Sequence, residues 1–198
     1  MKKIVCLFTC LFIGSANAGI IDFEGLPQSA ACGSPFTSLS ASGFNFTTGH
    51  SHICNPTRTD LAFNGTDWFA HDSNSTITMT EASNSLFDFN GFDLAEIFIN
   101  QSSLTLTVTG FLSGGGTVSQ LYTTDGINDG GGALADFQTF SLNSSFSNLT
   151  SVTFSGALNY GLDNLIVNES VPVPEPTSLA LLALGLAGIG YARKKKSA

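Results

Sequence analysis

The sequence predicts an all-β fold, an antiparallel β-sandwich. Residues 76–80, 103–109 and 137–142 largely alternate apolar side chains with Ser, Thr or Gln, as half-buried strands do. Gly, Asn, Asp and Ser interrupt the chain at short intervals, and helical periodicity is nearly absent. Of the 17 phenylalanines, all but Phe8 and Phe12 lie beyond residue 18, where they supply the apolar volume that fills the space between two sheets.

The remaining predicted strands show weaker alternation. They cover residues 20–24, 43–48, 60–63, 86–99 with a break, 117–122, 152–154 and 162–167. Short strands separated by turns at this density are typical of a two-sheet sandwich. The region between the two terminal segments, residues 19–171, has a length suited to one domain with a sizeable core.

Residues 1–18 have the composition of a secretory signal peptide. Lys2 and Lys3 precede an apolar run over residues 4–14, and Ala-Asn-Ala at residues 16–18 supplies the small side chains that signal cleavage requires. The mature protein is therefore expected to begin directly after this segment. A retained N-terminal anchor is the alternative, and the shortness of the apolar run disfavours it.

The C-terminal segment, residues 172–198, has three parts in order. A Pro-rich stretch, kept extended by its prolines, precedes an uncharged apolar run over residues 179–192 and then a basic cluster. The run suits a short transmembrane helix, although a full span needs about 20 residues, and the cations hold its end in the cytoplasm. A buried core helix is the alternative. The residues of the first and third parts are Val173, Pro174, Glu175, Pro176, Arg193, Lys194, Lys195 and Lys196.

These three parts together resemble the PEP-CTERM sorting signal of Gram-negative bacteria, which is also catalogued as the ice-binding protein C-terminal domain. The resemblance implies recognition by an exosortase, a membrane enzyme that processes such tails. It also implies transient residence in the inner membrane, followed by delivery to the cell surface or the exopolysaccharide matrix.

The domain between the terminal segments is strongly acidic. Arg58 is its one basic residue and stands against fourteen acids, which gives a net charge of −13. Such a surface repels nucleic acid and anionic membranes, so nucleic acid is excluded as a partner and the membrane is expected as a partner only through the C-terminal helix before processing. It remains compatible with divalent cations and with neutral glycans.

Two of the four cysteines fall in the predicted signal peptide, which leaves Cys32 and Cys54 in the mature domain. An exported protein meets an oxidising compartment, so we expect these two residues to form a disulfide. Closing a loop of about twenty residues would stabilise the domain by about 3 kcal/mol on the chain-entropy model.

Four short motifs, at residues 21–24, 92–94, 106–110 and 162–167, resemble the jelly-roll domains common in this sorting class. Those domains are similar to galactose-binding-like carbohydrate-binding modules. The resemblance implies that the first and last strands are close together and that a structural calcium is held by Asp22, Glu24 and Asp163. Solvated carboxylates at a strand edge are the alternative.

Two further patterns suggest metal binding less strongly. The loop at residues 125–130 is similar to the start of an EF-hand, but Ile127 stands where an oxygen ligand is needed, so a surface turn is favoured. His50, His52 and Cys54 alternate and would share a strand face, as a soft-metal site requires. That site needs a free Cys54, which conflicts with the expected disulfide.

Candidate residues for sugar contact are aromatic. Trp68 and Tyr122 could stack on the apolar face of a sugar ring, although a lone Trp beside Asp67 and Phe69 is more often core. No Gly-x-Ser-x-Gly, His-Glu-x-x-His or phosphate-loop motif occurs, and the carboxylates do not single out the pair that glycoside hydrolysis needs.

The sequence therefore favours a secreted, exosortase-sorted surface or matrix protein that binds or organises exopolysaccharide without catalysis. A secreted glycan-active hydrolase is the alternative from another class. An ice-binding adhesin is a third possibility, suggested by the Thr-rich strands and by one name of the tail family.

Overall fold

The computed structural model describes residues 19–26, 32–55, 61–72, 75–127 and 135–168. The predicted signal peptide, the predicted C-terminal helix and Arg58 lie outside these residues. The described chain forms eleven strands: β1 (Gly19–Ile21), β2 (Phe36–Ala41), β3 (Phe44–Cys54), β4 (Trp68–His71), β5 (Thr76–Glu81), β6 (Phe89–Glu96), β7 (Thr105–Leu112), β8 (Thr117–Thr123), β9 (Gln138–Ser141), β10 (Leu149–Gly156) and β11 (Tyr160–Val167). A membrane-spanning helix is not found among these residues.

All strand pairings are antiparallel, in the order β8-β7-β10-β5-β3-β4-β11-β6-β9, with β1 beside β11 and β2 beside β3. The sheet turns from one layer into another at β3. Residues 44–47 of β3 pair with β5, whereas residues 51–54 pair with β4. On one side of β3 the neighbouring strands follow in the order β5, β10, β7 and β8. On its other side they follow in the order β4, β11, β6 and β9.

The two layers face each other across a phenylalanine-rich core. Phe89 and Phe92 of β6 pack on Phe154 of β10 with ring centroids 5.7 and 6.1 Å apart, although their strands are far apart in the sheet order. Phe92 also meets Tyr122 of β8 at 5.0 Å. The predicted antiparallel β-sandwich is therefore confirmed, and phenylalanine fills the space between its layers.

The layer that contains β4, β11 and β6 is buried on its outer side as well. A second, smaller cluster covers it, in which the Trp68 indole is fully buried among Ala70, Ala95 and Ile97. Opposite the indole, Gly161 leaves room for the ring, since a Cβ there would lie 3.0 Å from two of its carbon atoms. This second cluster explains why every residue of β4 is buried.

Most predicted strands are present, and β1 pairs with β11 as the jelly-roll resemblance implies. The strand predicted over residues 60–63 is absent at residues 61–63, where Leu61 forms only an isolated bridge with Phe98, and residue 60 lies outside the described residues. The strand predicted over residues 20–24 ends at Ile21. β2 and β4 were not predicted: the first is rich in Ser and Thr, and the second is buried on both faces and so shows no alternation.

Replacing Gly161 by Ala should destabilise the protein by about 1 to 3 kcal/mol, because a Cβ would lie 3.0 Å from the fully buried Trp68 indole and 3.1 Å from the Phe137 ring, so that a ring has to shift. Gly114→Ala is the matched control, since a Cβ there meets nothing within 4 Å. Urea unfolding, monitored by tryptophan fluorescence, measures the free energy of unfolding of both variants. Equal stability of the two variants would contradict the packing argument.

Candidate functional site

The Cys32–Cys54 disulfide is formed and joins the segment before β2 to the end of β3. The prediction of this bond is therefore confirmed. Beside it lies an open depression of about 300 Å³ on the outer surface of the β4 layer. We call it the disulfide depression, and its lining residues are Cys32, His52, Cys54, Leu61, Ala70, Asp72, Ile97 and Phe98.

Apolar and polar groups meet in the disulfide depression. Phe98 is 44% exposed there, which makes it one of the most accessible aromatic side chains described. His52 and Asp72 supply polar groups, and the His52 Nε2 atom lies 3.7 Å from Asp72 Oδ2. An accessible aromatic ring beside hydrogen-bonding groups is the combination that small polar ligands use.

His50 and Asp72 extend this polar edge. The two residues lie opposite each other where β3 and β4 meet, and their side chains are in direct hydrogen-bond contact through His50 Nδ1 and Asp72 Oδ2. Cys54, the third member of the predicted soft-metal set, is in the disulfide and is not a free thiolate. The structure therefore replaces Cys54 by Asp72 as the residue that accompanies the two histidines.

Two of the three predicted calcium ligands contact the loop that precedes β4. Asp163 of β11 is fully buried, and its Oδ2 accepts hydrogen bonds from Asn64 Nδ2 at 2.6 Å and from Thr66 Oγ1 at 3.0 Å. Glu24 Oε1 accepts the Asp67 amide at 2.8 Å. Two of these carboxylates thus hold the loop directly.

Asp22 and Glu24 lie in the turn after β1 and not on a shared strand face, because Phe23 between them adopts a left-handed backbone conformation with φ 56° and buries its ring. Among the described residues, the oxygens of Asp22, Glu24 and Asp163 do not form a group within 4.8 Å. Calcium at these residues stays a prediction.

The described part of the EF-hand-like loop is held by hydrogen bonds to its backbone. Asp125 Oδ1 accepts the Ile127 amide at 2.9 Å, and the buried Glu96 Oε1 accepts the Gly126 amide at 3.0 Å. Sequence reasoning missed Glu96 as the anchor of this segment, because its position at the end of β6 gave no signal beyond the alternation of that strand.

The two aromatic residues predicted to stack on sugars are inside the protein. Trp68 is 0% exposed and Tyr122 is 5% exposed, and the Tyr122 ring packs between Phe92 and Phe140 of the core. A sugar has no access to either ring in this structure. The stacking prediction is therefore corrected in favour of the core interpretation, and Phe98 is the accessible ring instead.

The opposite layer presents a second regular surface, formed by hydroxyl side chains. One cross-strand row passes through six strands with a Ser or Thr at every position, and each member is at least partly exposed. Adjacent members lie on neighbouring strands, whose backbones are about 4.8 Å apart. We call this row the hydroxyl face, and it consists of Ser38, Thr47, Thr78, Thr153, Thr109 and Ser119.

The buried Asp163 makes stability depend on pH. Desolvation raises the pKa of its carboxyl from 3.8 to about 7, aided by the charge of Asp93 and opposed by the hydrogen bonds that it accepts. Between pH 4 and 7 the folded state holds a proton that the unfolded chain has lost, so this group lowers stability as the pH rises through that window. Over this window the free energy of unfolding falls by about 4 kcal/mol because of this group, at 1.36 kcal/mol per pKa unit.

Urea unfolding between pH 4 and 8, with calcium removed by chelation, should therefore show a weaker decline for Asp163→Asn than for the unchanged protein. If calcium binds the ionised carboxylate, adding Ca²⁺ should raise stability at pH 8 and not at pH 4.5. Identical pH profiles for the two proteins would contradict the raised pKa.

Comparison with known proteins finds one sequence-family match and several structural resemblances. No curated protein sequence matches the chain. Among solved structures, TmCBM61 in complex with β-1,4-galactotriose is 13% identical, with 64% of this chain and 88% of that chain covered and a TM-score of 0.36. The family 11 carbohydrate-binding module of Lic26A-Cel5E from Clostridium thermocellum is 11% identical, with coverage of 79% and 98% and a TM-score of 0.34.

The enzymatically active domain of tailspike protein 4 of bacteriophage CBA120 is 14% identical, with 64% of this chain and 19% of that chain covered and a TM-score of 0.34. Similarities at this level give no basis for transferring a ligand. The family match is to the PEP-CTERM protein-sorting motif at residues 172–196, which includes all the predicted sorting residues. The chain therefore carries the PEP-CTERM signal of a protein that is exported and sorted by an exosortase to the surface of Gram-negative bacteria.

Proposed function

We propose that this protein is a non-catalytic glycan-binding component of the cell surface or extracellular matrix, and that it binds exopolysaccharide in the disulfide depression. The observation that carries the proposal is the accessible Phe98 ring beside His52 and Asp72 on an exported domain. An aromatic face packs against the apolar side of a sugar ring, while polar neighbours accept or donate hydrogen bonds to its hydroxyl groups.

The charge of the domain supports a neutral or cation-bridged glycan. With fourteen acids against Arg58, the surface repels polyanions that approach without counterions. Direct binding of a strongly acidic polysaccharide is therefore disfavoured, unless divalent cations bridge the two.

Binding is favoured over hydrolysis by the composition of the depression. Among its described lining residues Asp72 is the one carboxylate, whereas most glycoside hydrolases use two carboxylates that flank the scissile bond. Sugar release from the same polysaccharide is the outcome that would point to the hydrolase instead.

Replacing Phe98 by Ala should weaken binding of the producing organism's exopolysaccharide by about tenfold, equivalent to about 1.4 kcal/mol. Phe111→Ala is the matched control, because Phe111 is 39% exposed but lies on β7, outside the depression. Affinity electrophoresis measures binding, and a reducing-end assay on the same mixtures measures turnover. Equal effects of the two substitutions, or none, would contradict a glycan site at Phe98.

Sorting is tested separately from binding. Replacing Pro174 and Glu175 together by Ala should leave uncleaved protein in the inner membrane, because these residues belong to the Pro-rich part at the start of the matched sorting motif. Cell fractionation and immunoblotting report the location and size of the protein. Normal surface delivery of the double variant would rule out exosortase-dependent sorting through this motif.

Ice binding is a second candidate function, favoured by the hydroxyl face. Its row of Ser and Thr residues on successive strands offers a repeated pattern of hydroxyl contacts to an ordered lattice. If this face binds ice, the protein should show thermal hysteresis that Thr78→Lys abolishes and that Ser113→Lys, in the exposed turn after β7, preserves. Nanolitre osmometry measures it, and the absence of hysteresis in the unchanged protein would eliminate this function.

A further inference from the structure

His50, His52 and Asp72 bring three metal-ligating side chains together on the outer surface of the sandwich. His50 and His52 are two residues apart on β3 and therefore share a face, and Asp72 follows β4 directly opposite His50. The Asp72 amide donates to the His50 carbonyl at 3.3 Å, which fixes this alignment. One potential ligand atom from each residue lies within 4.8 Å of the other two, and no other such group occurs in the described part of the chain.

The hydrogen bond of His52 orients its ring for metal binding. His52 Nδ1 lies 2.7 Å from the Gly33 carbonyl oxygen, which can only accept, so Nδ1 carries the hydrogen. The neutral ring then presents the lone pair of Nε2 on the opposite side. Histidine ligands of metals typically donate their second ring nitrogen to a backbone carbonyl in this way.

The lone pair of His52 Nε2 faces a carboxylate across a gap. The distance from Nε2 to Asp72 Oδ2 is 3.7 Å, longer than a hydrogen bond, and both atoms are acceptors when the ring is neutral. Two ligands of one tetrahedral zinc ion are about 3.4 Å apart, given metal–ligand distances of about 2.0 to 2.2 Å. The gap is therefore close to the separation that a bound cation imposes.

His50 supplies the third ligand from the solvent side. Its Nδ1 contacts the same Asp72 oxygen directly, so a metal ion would replace the hydrogen between these atoms and the ring would move outward. The His50 side chain is 53% exposed, which leaves room for that movement.

The disulfide holds the supporting carbonyl in place. Gly33 follows Cys32, and its amide donates to the Ile53 carbonyl at 2.9 Å, so the covalent bond to Cys54 and this hydrogen bond attach the chain to the end of β3 directly before the Gly33 carbonyl. The orientation of His52 is therefore set by a covalently fixed element and not by a free loop.

We propose that His50, His52 and Asp72 bind a late first-row divalent metal ion, represented by Zn²⁺, with at least one coordination position open to solvent. Two imidazole nitrogens and one carboxylate oxygen suit zinc, copper or nickel, whereas calcium and magnesium prefer sites made of oxygen alone. Three protein ligands leave a further position for water or an external ligand. The net charge of −13 on the domain raises the local concentration of cations.

This metal site does not rest on the proposed glycan function, because its test contains no glycan. Full-length protein without a polyhistidine tag is freed of metal by chelation and titrated with Zn²⁺ by calorimetry. One saturable site per chain is expected, and His52→Gln should weaken binding by at least about 100-fold because it removes a ligand. Co²⁺ at the same site should give visible absorption bands that this variant lacks.

The matched controls separate coordination from general charge attraction. Asp72→Asn and Asp125→Asn each remove one negative charge, but Asp125 is exposed and outside the cluster. Loss of the Zn²⁺ site in Asp72→Asn and its retention in Asp125→Asn would support the assignment, with unchanged circular dichroism showing that both variants fold. Equal weakening in the two, saturation by Ca²⁺ with the same affinity, or no Zn²⁺ binding by the unchanged protein would overturn it.

Discussion

The passage of β3 from one layer of the sandwich to the other is the constraint on which the rest of the structure depends. At the crossing, polar groups are buried at a corner of the sheet, and each must find a partner. The His71 ring serves as that partner: its Nδ1 lies 2.9 Å from Ser51 Oγ and 3.1 Å from Thr48 Oγ1, and its Nε2 lies 3.0 Å from the Ser75 carbonyl. Burial lowers the pKa of His71, which favours the neutral ring that accepts at Nδ1 and donates at Nε2.

The same corner of the sheet brings His50 and Asp72 together on the surface. On the outer side of this corner His50 is exposed and Asp72 is partly exposed, whereas Ser51 and His71 are buried. His50 and Asp72 are the immediate neighbours of Ser51 and His71 and are brought together by the pairing that buries those two. The exposed cluster is thus a geometric consequence of the internal hydrogen-bond network, and a change inside the corner would alter the separation of the groups outside it.

Strands could be predicted from the sequence where one face is exposed to solvent and the other is buried, as in Thr76 to Thr80. They could not be predicted where both faces are buried, as in Trp68 to His71. The disulfide was predictable because only two cysteines remained. The contact between Asp72 and His50 was not predictable, because it depends on the register between β3 and β4, which no local sequence pattern encodes. Phe98 was overlooked for a related reason: the exposure of an aromatic ring depends on which loops cover it, and Trp68 gave the stronger compositional signal.

The Cys32–Cys54 bond links completion of the fold to export from the cytoplasm. Such bonds rarely persist in the reducing cytoplasm, so a newly made chain would leave the cell interior without the covalent bond between the segment around Gly33 and β3. The arrangement around His52 would be completed only after translocation, beyond the reach of the metal pools and reductants of the cytoplasm. Export would then be the maturation step of the domain as well as its route to the cell surface.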